Sequence, residues 1–80
     1  MTQLGESTED VVRRVWAEVL DVASVPVDVN FFDAGGHSLL LMVLQQSLTE
    51  AVGLDIAIED LFVHTTVRAQ AAMIRAGTAR

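Results

Sequence analysis

The stretch FFDAGGHSLLLM, residues 31–42, decides how the chain is read. Two phenylalanines, a pair of glycines and a histidine lead into Ser38, and apolar residues crowd together after it. Ahead of it, from Asp21 to Gly36, helical periodicity fails and Pro26 forbids a regular helix at its position. A long loop pinned to the core by phenylalanine is expected there, and loops of that length in compact domains are usually functional. After it, Leu41, Leu44, Leu48, Ala51 and Val52 fall on one helical face with Leu40 at its edge. This predicts a helix from about Ser38 to Val52, stopped by Gly53. Leu39, Met42 and Val43 are left on the polar side. Three apolar side chains facing outward beside Ser38 read as a partner-docking patch, unless neighbouring loops cover them.

Helices extend in both directions from this centre. Ser7 or Thr8 is placed to cap a first helix whose first turn carries Glu9 and Asp10 at the positive end of the dipole. Its apolar stripe is Val11, Val12, Val15, Trp16, Val19 and Leu20. Beyond Gly53, the segment EDLF predicts a short third helix with Ile58, Leu61 and Phe62 turned inward. Thr65 or Thr66 then caps a last helix with Val67, Ala71 and Ile74 inward and Arg75 near its negative end, before the small polar tail AGTAR. The expected fold class is all-α: a small four-helix bundle, three longer helices and one short, with a long loop between the first two.

Composition bounds the functions this fold could serve. Eighty residues make one domain, residues 1–80, and a chain of that size buries only about 60% of its unfolded surface, so any cleft is shallow. A hydrophobic content of 51% with one proline supports a packed core. No apolar run reaches the roughly 18 residues of a membrane span, and MTQLGESTED lacks the marks of a signal peptide, so a cytoplasmic protein is expected. Eleven acids against five arginines, with no lysine, give a net charge of −6 and argue against nucleic acid. Basic protein partners suit that surface, as does mere solubility. There is no cysteine, so any thiol chemistry must be brought in.

Catalytic and metal readings fail on spacing. Ser38 as nucleophile with His37 as base is ruled against because neighbouring residues at a helix start point their side chains apart, and the G-x-S-x-G elbow is incomplete. A calcium loop counted from Asp28 puts Phe32, Asp33 and Leu39 at positions that need a ligand, a glycine and a glutamate. Two histidines without cysteine make no zinc pattern, and adjacent Glu59 and Asp60 suit the first turn of a helix better than an acid/base pair. No catalytic residue and no metal ligand is assigned. What suits Ser38 is modification, because unpaired N–H groups at a helix start favour a phosphate ester, while Gly35 and Gly36 clear the approach. The plainer alternative is an N-cap. His37 stays open between a turn filler and a feature recognised by the enzyme that meets Ser38, and so does Asp33, whose plain reading is to solvate the loop and favour the helix start, with no catalytic role assigned.

The run DVNFFDAGGHSLLLM resembles the core motif of peptidyl carrier proteins, the thiolation domains of nonribosomal peptide synthesis, commonly written D-x-F-F-x-L-G-G-H/D-S-L. The order of helices agrees, and the resemblance covers about residues 8–76. It implies a fold of acyl-carrier type and a non-catalytic carrier whose cofactor is phosphopantetheine, taken from coenzyme A onto Ser38, with Gly36 and His37 beside it. It further implies an aminoacyl or acyl group held as a thioester, in secondary metabolism such as antibiotic biosynthesis. The implied partners are a phosphopantetheinyl transferase, an adenylation enzyme and condensation or tailoring enzymes, met by a monomer. The spelling GGHS leans to the peptidyl class, and an acyl carrier of a polyketide or hybrid pathway is the alternative. From a different class, the chain could be a helical interaction module that only resembles a carrier.

Departures from the motif qualify the docking reading. Ala34 stands where leucine is usual, Thr65 replaces the proline before the last helix, Leu41 replaces a small residue and Val43 a basic one. The expected docking face is therefore more apolar than the family's. Met1 and the lack of a flanking linker lead to the expectation of a free-standing carrier, although an excised module domain looks similar.

Overall fold

A computed structural model describes residues 7–77 as four helices: α1 (Thr8–Leu20), α2 (Ser38–Val52), α3 (Ile58–Val63) and α4 (Val67–Arg75). The end of the AGTAR tail lies outside the described residues. Ser7 caps α1, its Oγ accepting from the Asp10 amide at 3.1 Å while the Asp10 carboxylate accepts from the Ser7 amide at 3.3 Å. This reciprocal box satisfies two otherwise orphaned donors. The helix ends where Asp21 turns left-handed at φ 58°, which lets the Val22 amide fold back to the Ala17 carbonyl at 3.0 Å.

The core forms where the apolar stripes meet. α1 packs against both α2 and α4, and α3 lies against α2. Val12, Val15 and Trp16 meet Leu41, Leu44 and Leu48, and the opposite wall is Val67, Ala71, Met73 and Ile74. Two expectations are corrected at the edges. Ala51, placed on the core face, is exposed, whereas Leu48 and the partly buried Val52 turn to the core on either side of it. Phe62, expected inward, is 52% exposed: six residues make under two turns, and Leu61, with Ile58 partly buried beside it, fills the space beneath α3.

One buried polar group was not anticipated. Gln70 is fully buried; its Oε1 accepts from the Trp16 indole N–H at 2.8 Å and its Nε2 donates to the His64 carbonyl at 2.8 Å. A buried amide is tolerated when both ends are paired, and here the pairing joins α1 to the α3–α4 connection.

That connection holds the long loop in turn. Thr65 carbonyl accepts from the Phe31 amide at 2.8 Å, its hydroxyl accepts from Asn30 Nδ2 at 2.9 Å, and Val27 carbonyl accepts from the Arg68 amide at 2.9 Å. Asn30 Oδ1 also accepts from the Phe32 amide at 2.8 Å, closing a local turn. Val25 and Phe31 enter the core, and Phe31 sets its ring edge-on to Trp16 with centroids 4.9 Å apart. The loop is thus a fixed strap that brings residues 33–38 to one place.

Candidate functional site

The site is built by the last turn of that strap. Amides of Ala34 and Gly36 bond back to the carbonyls of Asn30 and Phe31 at 3.0 and 2.9 Å, wrapping the chain around the buried Phe31 ring. Gly36 lies so close to this ring that a Cβ there would overlap it, and Gly35 sits at φ 110°, a conformation that favours glycine. Each glycine therefore has its own cause, one packing and the other backbone.

His37 then extends the backbone and caps α2, its Nδ1 accepting from the Leu40 amide at 3.4 Å. The alternative of Ser38 as N-cap is corrected: Ser38 is the first helical residue, and the cap is His37. The consequence is chemical. His37 Nδ1 is engaged with the Leu40 amide, and no hydrogen bond joins His37 to the Ser38 hydroxyl among the described residues. Its hydroxyl is exposed at the positive end of a 15-residue helix whose first turn holds no acid, and the amides of Ser38 and Leu39 make no hydrogen bond among the described residues.

Beside Ser38 runs a groove of about 600 Å³, walled by Leu39, Met42 and Val43 of α2 and by Ile58 and Phe62 of α3. Leu39, Met42 and Val43 are 65%, 58% and 45% exposed, so no loop covers them. Gln45 donates to the Ile56 carbonyl at 2.7 Å and fixes the α2–α3 connection under the groove. Phe32 is 38% exposed and stacks on Phe62, so of the two loop phenylalanines only Phe31 anchors the core. Asp33 is exposed, and among the described residues no three His, Asp or Glu side chains gather as a metal site. No helix is long and apolar enough to cross a membrane among them.

These residues suit a phosphopantetheine arm. An exposed hydroxyl at a helix start, two free amides beside it and no nearby carboxylate in that turn accept a phosphodiester without repulsion. The chain matches the family description "Phosphopantetheine attachment site" over residues 10–74. It is 46% identical over 59 residues to a linear gramicidin synthase of Brevibacillus parabrevis, covering 74% of this chain and 1% of that protein. The solved structure of a nonribosomal PCP domain is 32% identical with TM-score 0.74, over 90% of this chain and 92% of the other. A peptidyl carrier protein solved with the transferase Sfp and coenzyme A shares the fold, with TM-score 0.82 at 24% identity over 95% and 99% of the two chains.

The chain therefore belongs to the family of carrier domains defined by a phosphopantetheine attachment site. Within it, the chain is a carrier domain of the peptidyl, nonribosomal type. It spans one to three per cent of the length of the gramicidin and plipastatin synthases it matches.

The residues that sequence reasoning missed are Gln70 and the Phe32–Phe62 pair. Gln70 was visible in principle, since Val67, Ala71 and Ile74 define a face on which position 70 also falls. The aromatic pair joins a loop to a helix 30 residues away, and no local periodicity carries that information.

Proposed function

We propose that Ser38 is the residue that receives phosphopantetheine from coenzyme A, and that residues 1–80 act as a single carrier domain with a core of about 8–76. The observation that carries this is the exposed Ser38 hydroxyl, set at the start of α2 beside free amides. Ser38 Oγ is the acceptor, while a phosphopantetheinyl transferase supplies the base and the magnesium ion. When attached, the arm supplies the thiol that this cysteine-free chain lacks. Gly36 keeps the strap tight against Phe31, and His37 holds the first turn of α2 open to the phosphate. Leu39, Met42 and Val43 form the face on which an adenylation enzyme and condensation or tailoring enzymes dock, each acting on a monomeric carrier. Coenzyme A and ATP argue for the cytosol as the compartment.

The test is intact mass after incubation with coenzyme A and a broad-specificity phosphopantetheinyl transferase. The wild type gains one arm and Ser38→Ala gains none. No gain in the wild type, or an equal gain in the variant, overturns the assignment.

A further inference from the structure

The chain holds three methionines and no cysteine. Met1 lies outside the described residues, and Met73 is packed in the core at 6% exposure. Trp16, another side chain open to oxidation, is fully buried. Met42 is 58% exposed, so among the described residues it is the sulfur that solvent reaches. Its position gives that exposure a consequence. Met42 lies one turn along α2 from Ser38 and Leu39, and it walls the groove that opens at Ser38 together with Leu39, Val43, Ile58 and Phe62. Among the described residues no ionisable side chain lines that groove, so its character rests on a few apolar groups.

We propose that Met42 is an oxidative modification site, at which a hydroperoxide converts the thioether to the sulfoxide and so switches off docking on the α2 face. A lone pair of Sδ takes one oxygen of hydrogen peroxide, the O–O bond breaks, and the other oxygen leaves with both protons as water. Sulfur is oxidised by two electrons and the peroxide is reduced by the same two. The product sets a polar S–O group where a partner would meet a flexible apolar side chain. Burying that group without a donor to meet it is unfavourable. The other walls hold no sulfur, so the change is confined to one point of the groove. Leu41 and Leu44 carry the core face, so the helix survives it. A thiol-dependent methionine sulfoxide reductase reverses the step. The switch rests on the docking role assigned above to Leu39, Met42 and Val43.

The apo protein treated with hydrogen peroxide tests it. Cleavage at arginine separates the methionines, leaving Met42 in residues 15–68 and Met73 in residues 69–75. One oxygen is expected on the 15–68 peptide and none on 69–75, while the 15–68 peptide of Met42→Leu gains none. Treated and untreated samples are then primed with coenzyme A and a broad-specificity transferase, and aminoacyl loading by the cognate adenylation enzyme is followed by intact mass. For the wild type, kcat/KM falls about tenfold on oxidation, and methionine sulfoxide reductase with dithiothreitol restores it. For Met42→Leu, treated and untreated samples load alike. Oxygen on the 69–75 peptide instead, a loss of helicity by circular dichroism, or a fall of less than about twofold overturns the switch. Met42→Asp separates the switch from the docking role. If the aspartate slows loading and the sulfoxide does not, the switch alone fails; if neither slows it, the docking role fails as well.

Discussion

Replacing Gln70 with leucine tests whether the buried amide is the tie between the core and the strap. Leucine keeps the aliphatic stem, so the packing loss is small. What changes is that the Trp16 indole N–H and the His64 carbonyl lose their partner. Each stranded buried group costs about 1–3 kcal/mol. The His64 carbonyl belongs to a half-buried residue and can recruit water, whereas Trp16 is fully buried and its indole cannot. A net loss of about 1–3 kcal/mol follows. For 80 residues, total stability is about 4–12 kcal/mol, so the variant loses a substantial part of it. With a urea slope of about 1 kcal/mol per molar for a domain this small, the midpoint falls by about 1–3 M.

Far-UV circular dichroism is the right probe, because the indole fluorescence is itself perturbed. A midpoint shift below about 0.5 M would refute the account. A double-mutant cycle with Trp16→Phe separates hydrogen bond from packing. In that background the donor is already gone, so Gln70→Leu costs at least about 1 kcal/mol less than in wild type. Equal costs in both backgrounds would mean that the indole bond contributes nothing. Because the Phe31 amide bonds to Thr65, next to His64, hydrogen exchange at Phe31 should also quicken in the single variant.

Three further outcomes are expected. Gly36→Ala forces a methyl into the ring of Phe31, which is fully buried and cannot retreat, so about 1–3 kcal/mol is lost and the thermal midpoint drops by roughly 5–15 °C; an unchanged midpoint would show that the strap can shift. Leu44→Ala, at the centre of the buried face of α2, costs about 2–5 kcal/mol in denaturant unfolding, and a neutral result would break the assignment of faces. Met42→Asp and Val43→Arg change exposed positions, so stability stays within about 0.5 kcal/mol while aminoacyl loading by the cognate adenylation enzyme slows; unchanged kinetics would remove α2 from the docking face.

How legible each part was follows from how local its cause is. α2 was readable to the residue because leucines at three- and four-residue spacings and a terminal glycine state its face and its end in consecutive letters. The capping box of α1 was half visible, since Ser7 and Asp10 stand three apart. α3 was readable as a helix but not as a face, because in six residues the pattern 58, 61, 62 fits more than one orientation against α2. Thr65 read as a lost proline, whereas its hydroxyl and carbonyl hold Asn30 and Phe31. That pairing spans 35 residues, and only the folded chain brings the partners together.

The site itself divides along the same line. Ser38, exposed at a helix start, was legible because capping rules act over one turn. What the rules could not decide was which of two adjacent polar residues caps α2. The structure gives the cap to His37, so capping and esterification fall on separate side chains. With histidine holding the amide, the Ser38 oxygen is free to be esterified while α2 keeps its cap.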